Sequence, residues 1–129
     1  MVSHITLGTR DFAKAVRFYG ALLAPLGLEC FQNDPDSGWA GWKRAGQPTE
    51  FYICPPFDGR PASAGNGNMT AFLAPDPETV DAAYAAGMAA GGTDEGPPGP
   101  RPIYNDGYYG AYLRDPDGNK ICICRRGDV

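Results

Sequence analysis

Apolar and polar side chains alternate along the last third of the chain, residues 107–126. The pattern predicts a β-hairpin whose strands are joined at 115–118, where Pro116 and Gly118 supply the backbone angles of a tight turn. Successive side chains on a strand point to opposite sides. One side of the second strand carries Ile121 and Ile123, and the other carries Lys120, Cys122 and Cys124. The isoleucines suit a hydrophobic core, so the cysteines face a different environment.

The first half of the chain reads as a strand, a helix and three further strands. Residues 2–8 alternate, with Ile5 and Leu7 on one side and His4 and Thr6 on the other. Asp11 is a helix N-cap candidate, and apolar residues recur after it at helical spacing. These residues are Phe12, Val16, Tyr19 and Leu23. The three strands are predicted at Leu28–Gln32, Gly38–Arg44 and Glu50–Cys54.

The same order of elements then restarts after a loop rich in proline and glycine, Pro55 to Asn68. A strand at Met69–Leu73 precedes a helix that Asp76 caps, and a short strand at Arg101–Tyr104 precedes the hairpin. The chain therefore predicts a duplicated βαβββ unit in an α+β fold. We expect one domain over 1–129, with module one at about 1–57, a linker at about 58–67 and module two at about 68–126.

Composition and charge disfavour two kinds of partner, nucleic acid and membrane. The net charge is −4, and the 11 Lys and Arg residues are scattered, which disfavours nucleic acid as a partner. No run of about 18 apolar residues would span a membrane, and the first residues do not resemble a signal peptide. We expect a cytoplasmic protein whose four cysteines are free thiols.

Several motifs together resemble the vicinal oxygen chelate superfamily, which includes glyoxalase I, bleomycin-resistance proteins and extradiol dioxygenases. They are the runs at 3–8, 15–19, 69–72, 80–84 and 109–121, the last reading Tyr-Gly-Ala-Tyr-Leu-Arg-Asp-Pro-Asp-Gly-Asn-Lys-Ile. The resemblance implies that two βαβββ modules form an open, curled mixed sheet with the helices outside. It also implies a small-molecule cavity and, in many members, a divalent metal that stabilises a charged intermediate.

The resemblance places the usual metal ligands on unusual residues. The two first-strand histidines fall on His4 and Met69, and the late glutamate falls on Cys122. A fourth position lies at Glu50 or Tyr52. A thioether is a poor ligand for the usual divalent ions, so no cofactor is expected and a divalent metal, although possible, is disfavoured. A soft set that adds Cys124 would suit Cu(I) better.

Three functions remain open. The favoured one is a metal-independent module that binds a small organic molecule. An alternative is a glyoxalase-like lyase or isomerase, or a dioxygenase-related enzyme, with His4 as general base and Glu50 and Cys122 as further catalytic candidates. The third is a dimer whose cavity has collapsed. The candidate ligand-binding residues are His4, Thr6, Tyr52, Met69, Ala71, Tyr108, Cys122 and Cys124. The resemblance and the size of the chain imply a homodimer, in which the barrels are completed by modules that pair either within one chain or between two chains.

Overall fold

The computed structural model describes residues 1–127 and contains the βαβββ order twice. The first unit comprises β1 His4–Gly8, α1 Phe12–Leu23, β2 Leu28–Asp34, β3 Trp39–Arg44 and β4 Glu50–Cys54. The second unit comprises β5 Thr70–Leu73, α2 Pro77–Ala89, β6 Thr93–Pro100, β7 Tyr108–Arg114 and β8 Lys120–Arg126. A 3₁₀ turn at Ala24–Leu26 follows α1.

Each unit forms one four-stranded mixed sheet. The strand orders are β1-β4-β3-β2 and β5-β8-β7-β6, so each first strand is an edge strand beside the last strand of its unit. The first and last strands run parallel in both sheets, whereas the remaining neighbours are antiparallel. This unclosed α+β arrangement confirms the predicted fold class.

Local chemistry starts both helices. The side chain of Asp11 accepts a hydrogen bond from the backbone N–H of Lys14, and that of Asp76 accepts one from Thr79. Each aspartate thereby satisfies one of the N–H groups that a helix N-terminus leaves free. Gly27, with a φ of 78°, follows the 3₁₀ turn and allows the chain to enter β2.

A single hydrophobic core joins the two units. It is formed by the helices and by one side of each sheet, including Phe51 and Ile53 of β4 and Ile121 and Ile123 of β8. The helices approach closely at Gly87, where a Cβ atom would lie 2.8 Å from a methyl of Leu22. Each sheet therefore keeps its other side away from this core. The predicted division of β8 into an isoleucine side and a cysteine side is confirmed.

The turn after β7 is fastened to the first unit. The buried carboxylate of Asp115 accepts a hydrogen bond of 2.5 Å from the Tyr19 hydroxyl and others from Asn119. Asn119 in turn donates to the Gly8 carbonyl at the end of β1. Burial nevertheless raises the pKa of Asp115 above its usual value. The turn thus links α1, β1 and β8.

The prediction of a strand at Arg101–Tyr104 is wrong. The strand lies earlier, at Thr93–Pro100, and the predicted segment is a turn in which Tyr104 N–H donates to the Arg101 carbonyl. β6 is the second edge strand of its sheet and its pairing with β7 is irregular. Prolines, which cannot donate a ladder hydrogen bond, are tolerated at such an edge. Among residues 1–127, no helix is long and apolar enough to cross a membrane.

Candidate functional site

The sides of the two sheets that point away from the core carry the candidate site residues. We define the first face by His4, Thr6, Trp39, Glu50 and Tyr52 on the first sheet. We define the second face by Met69, Ala71, Tyr108, Tyr112, Cys122 and Cys124 on the second sheet and the residue before it. All eight residues predicted to bind a ligand belong to one of these two faces.

Strand registers settle which residues correspond between the faces. Thr6 pairs with Tyr52, and Ala71 pairs with Cys122. Thr6 lies two residues after His4, and Ala71 lies two residues after Met69, the two residues at the family's histidine positions. Their strand partners, Tyr52 and Cys122, are therefore counterparts. Glu50 pairs directly with His4. Of the two residues left open for the fourth ligand position, Tyr52 therefore has the matching register.

Aromatic rings surround Tyr52 on the first face. Its ring centroid lies 5.9 Å from that of His4, 5.8 Å from Phe31 and 5.7 Å from Trp39, in edge-to-face geometries. Gly41 makes room for the ring, because a Cβ there would lie 2.8 Å from a Tyr52 ring carbon. The Tyr52 hydroxyl donates to Glu50 Oε1 at 2.8 Å, and this bond is the main reason why the Tyr52 pKa is raised.

His4 lies at the exposed start of β1. Its Nδ1 is 3.0 Å from the Ser3 hydroxyl, and its neighbour across the sheet is Glu50. The structure therefore brings the candidate base, Glu50 and Tyr52 together on one sheet. The remaining catalytic candidate, Cys122, lies on the other sheet, where its polar neighbour is Tyr108.

An open cavity of about 610 Å³ adjoins the first face. Thr6, Gly8, Trp39 and Cys54 contribute the sheet side of its wall, and the loop that follows β4 contributes the rest. The loop is held in place by Ala62, which is buried and lies close to Gly8. The lining residues are Thr6, Gly8, Trp39, Cys54, Pro55, Pro56, Phe57, Ala62 and Ser63. The wall is mostly apolar, with two hydroxyls and one thiol, and its volume suits a small organic molecule.

The second face is covered by Tyr108. Its ring lies over Gly110, where a Cβ would approach a ring carbon to 2.9 Å. The Tyr108 hydroxyl is 3.0 Å from that of Tyr112 and 3.6 Å from the Cys122 sulfur. Both Cys122 and Cys124 are buried. The next residue, Tyr109, faces the opposite way and donates a hydrogen bond to Asp81.

The two thiols of the second face differ in acidity. Hydrogen bonding with the Cys122 thiol, assisted by the Tyr108 hydroxyl and the charge of Arg126, lowers the pKa of Cys124 to about 6 despite its burial. The same thiol–thiolate hydrogen bond, together with burial, raises the pKa of Cys122. On the first face, burial alone raises the pKa of Cys54. Of these three thiols, only that of Cys124 on the second face has a lowered pKa.

The side chains at the family's ligand positions do not fit the divalent ion that the resemblance implies. Met69 offers a neutral thioether, and the raised pKa values of Tyr52 and Cys122 keep a proton on the phenol and the thiol. Among residues 1–127, no three or more His, Cys, Asp and Glu side chains are grouped so that they could hold a metal. We derive no chemistry through such an ion.

Several residues at the site were not predicted from the sequence. Phe31, Gly41 and Gly110 shape the two faces, and the loop over 55–63 forms one wall of the cavity. Each of the two glycines lies within two residues of aromatic residues on its own strand. A glycine inside a strand can mark a place where another group approaches the sheet closely, here a tyrosine ring. The loop carries no such signal, because its proline-rich sequence is equally typical of a linker.

Comparisons with known proteins agree with this architecture. The profile of the Glyoxalase/Bleomycin resistance protein/Dioxygenase superfamily matches residues 1–123. The chain resembles the crystal structure of a glyoxalase/bleomycin resistance protein from Albidiferax ferrireducens T118, with 43% identity, 98% coverage of each chain and a TM-score of 0.85.

More distant structures share the fold. A superfamily member from Sphaerobacter thermophilus is 27% identical, with 97% of this chain and 96% of that chain covered and a TM-score of 0.64. A glyoxalase-related enzyme from Fulvimarina pelagi is 21% identical over 97% and 87% of the chains, with a TM-score of 0.75, which shows the fold alone. No curated protein matches the chain. With its profile match and its duplicated βαβββ fold, the chain belongs to the glyoxalase/bleomycin resistance protein/dioxygenase superfamily.

Proposed function

We propose that this protein is a metal-independent module that binds a small, largely apolar organic molecule at the first face. The observation that carries the proposal is the cavity of about 610 Å³ between Thr6, Trp39 and the loop after β4. Burial of apolar ligand surface would supply most of the affinity, and the hydroxyls of Thr6 and Ser63 would orient the ligand.

The aromatic cluster supports a ligand with a flat ring. Trp39 lines the cavity and contacts Tyr52, whose orientation is held by its hydrogen bond to Glu50. A side chain held in one rotamer loses little conformational entropy when a ligand arrives. The edge-to-face geometry among these rings offers a further aromatic group the same favourable contact.

We also propose that the functional unit is a homodimer. Met69 and Leu73, beside and on the edge strand β5, are 47% and 55% exposed, and both lie on the second-face side. The edge strands β1 and β5 present unpaired backbone groups that a second copy can cover. Light scattering should give twice the chain mass of 13.7 kDa. A particle of the single-chain mass would contradict this part of the proposal.

A test of the binding proposal uses the neutral fluorescent probe N-phenyl-1-naphthylamine. In buffer with EDTA, the purified protein should bind one probe per chain with increased emission. Trp39→Ala removes a cavity wall and should weaken binding by about 10-fold, which corresponds to about 1.4 kcal/mol. The matched control is Ile103→Ala, which also deletes an exposed apolar side chain, but outside the cavity lining.

Two results would contradict the binding proposal. In the first, Trp39→Ala and Ile103→Ala change the probe affinity equally. In the second, binding disappears in EDTA and returns on addition of Zn²⁺ or Mn²⁺. The first result would place the probe elsewhere on the surface, and the second would restore a metal to the site.

A second candidate function, a lyase or isomerase, is favoured by one observation: His4 lies beside Glu50, which is hydrogen-bonded to Tyr52. A general base at this position would remove a proton from a carbon next to a carbonyl. Dihydroxyacetone in D₂O tests this, because such a base would exchange its carbon-bound protons for deuterium. The binding module predicts no exchange above the buffer rate, and exchange that disappears in His4→Ala would favour the enzyme.

A further inference from the structure

We propose that a second cavity, lined by Arg44, Arg125 and Arg126, binds a small molecule through a phosphate or carboxylate group. This cavity shares no lining residue with the cavity beside the first face. The proposal therefore goes beyond the binding function proposed above and does not depend on it.

The cavity lies where the two units meet, and its charge is one-sided. It has a volume of about 680 Å³, and its wall comes from the 3₁₀ turn and the end of β3 in the first unit and from the ends of β5 and β8 in the second. Among the described residues that line it, the three arginines are the only charged ones, and the others are apolar residues and glycines. The chain as a whole has the opposite balance, with 15 acidic and 11 basic residues.

Arg44 is held in place by both units. Its Nε and Nη2 donate to the Leu26 carbonyl at 3.0 and 2.6 Å, and Nη2 also donates to the Leu73 carbonyl at 3.3 Å. Because Leu73 pairs with Cys124, these bonds bring the guanidinium to the end of β8, where the other two arginines lie. Within residues 1–127, Nη1 of Arg44 has no hydrogen-bond partner, so this nitrogen can donate to an anion.

The other two arginines are also without acidic partners in the described part of the chain. Arg125 Nη1 donates to the Gly107 carbonyl at 3.0 Å, and Arg126 is exposed. The salt bridges found within residues 1–127 all involve other arginines. Like charges that line one cavity repel each other, so an anion bound among them would lower the electrostatic energy of the site.

The chemistry of the lining favours a small organic anion. A guanidinium group is a planar donor that matches the oxygens of a phosphate or a carboxylate, often with two hydrogen bonds. The apolar part of the wall, which includes Leu26 and Leu73, would contact the remainder of the molecule. The net charge of −4 on the whole chain opposes the approach of a long polyanion such as a nucleic acid.

The experiment is isothermal titration calorimetry of the intact protein with sodium pyrophosphate in a metal-free, low-salt buffer. We expect one pyrophosphate per chain, with an affinity that falls as NaCl is added, because salt screens exposed charges. Arg125→Gln and Arg126→Gln should each weaken binding by at least about 10-fold, since each removes charge-assisted hydrogen bonds. The matched control is Arg17→Gln, which removes the same charge from an exposed position on α1 and should leave the affinity unchanged.

Two further measurements complete the test. Citrate in place of pyrophosphate distinguishes a carboxylate ligand from a phosphate ligand, and the anion that binds more tightly identifies the preferred group. Circular dichroism and light scattering check that each variant keeps its fold and its oligomeric state.

Three results would overturn the proposal. The first is that neither pyrophosphate nor citrate binds, and the second is that Arg17→Gln weakens binding as much as Arg126→Gln. The third is that pyrophosphate displaces N-phenyl-1-naphthylamine, which would place the anion at the first face. Failure of the probe to bind, with pyrophosphate binding intact, would contradict only the function proposed for the first face.

Discussion

The first and second faces share a backbone and differ in chemistry. Thr6 and Tyr52 of the first face occupy the register of Ala71 and Cys122 of the second. Cys54 likewise corresponds to Cys124, because each pairs with the residue four positions after the first-strand ligand position. Yet the pKa of Cys54 is raised and that of Cys124 is lowered to about 6. Equivalent positions in a duplicated fold therefore need not share a function.

The position of one tyrosine accounts for much of the difference. On the first face, Tyr52 is hydrogen-bonded to Glu50 of its own strand, and the space between Trp39 and the loop after β4 remains open. On the second face, Tyr108 extends over Gly110 toward the sulfur of Cys122. If the proposed function is right, the first face accepts an organic molecule, whereas Tyr108 blocks the part of the second face around Cys122.

The largest expected effect is a difference in stability between changes on the core side of β8 and changes on its cysteine side. Ile123→Ala should lower the free energy of unfolding by about 2–5 kcal/mol, because Ile123 is fully buried in the hydrophobic core. Cys124→Ala should cost about 1 kcal/mol, since the sulfur lies outside that core. Urea denaturation measures both values. Equal losses would mean that the cysteine side is also a packing surface.

The next prediction removes the cover from the second face. Gly110→Ala adds a methyl 2.9 Å from the Tyr108 ring, which must move. Alkylation of Cys122 and Cys124 should become about 10 to 100 times faster, as an overpacking cost of about 1–3 kcal/mol implies. The matched change Gly41→Ala crowds Tyr52 instead and should leave the thiol rates unaltered. Acceleration by both variants would indicate general loosening.

A smaller effect concerns the acidity of the cysteines. Absorbance at 240 nm should report one thiolate per chain that is protonated below about pH 6 and ionised above it. Cys124→Ser should abolish this step, and Cys54→Ser should leave it intact. Tyr108→Phe should move the midpoint upward, because it removes a hydroxyl that stabilises the thiolate. No ionisation below pH 8 in the parent protein would contradict the assignment.

The smallest predicted effect lies at the rim of the first face. Lys43 Nζ is 4.8 Å from the centroid of the Phe31 ring. An exposed cation–π contact of this kind is worth about 0.5–1 kcal/mol, so Lys43→Gln should change probe affinity by less than about 5-fold. Fluorescence titration resolves such a change. A larger loss would mean that Lys43 contacts the ligand directly.

The elements of the fold were predictable because their signals are local. Asp11 and Asp76 mark both helix starts, and the alternation of Ile121 and Ile123 with the two cysteines identifies the core side of β8. The misplaced strand at Arg101–Tyr104 shows where local signals fail. Prolines disfavour a central strand, but the sequence does not reveal that β6 is an edge strand, where they are tolerated.

Which residues lie on the two non-core faces was predictable from the sequence, and the environment of those residues was not. Alternation and family resemblance identified His4, Thr6, Tyr52 and Cys122 as members of the two non-core faces. The hydrogen bond from Tyr52 to Glu50 and the packing of Ala62 against Gly8 depend on contacts between distant segments. The acidity of Cys124 arises likewise from Tyr108 on a neighbouring strand and from the Cys122 thiol. Contacts of this kind form only when the chain is folded, so the sequence alone does not reveal them.

The most direct test of the central claim compares the two faces in one experiment. Two-dimensional ¹H–¹⁵N NMR spectra of the protein in EDTA, with and without N-phenyl-1-naphthylamine, report on every backbone amide and on the Trp39 indole. The account predicts that the largest shifts fall on Thr6, Trp39 and the loop at 55–63, with little change at Ala71, Cys122 and Cys124. Equal shifts at both faces, or shifts confined to the second face, would contradict it.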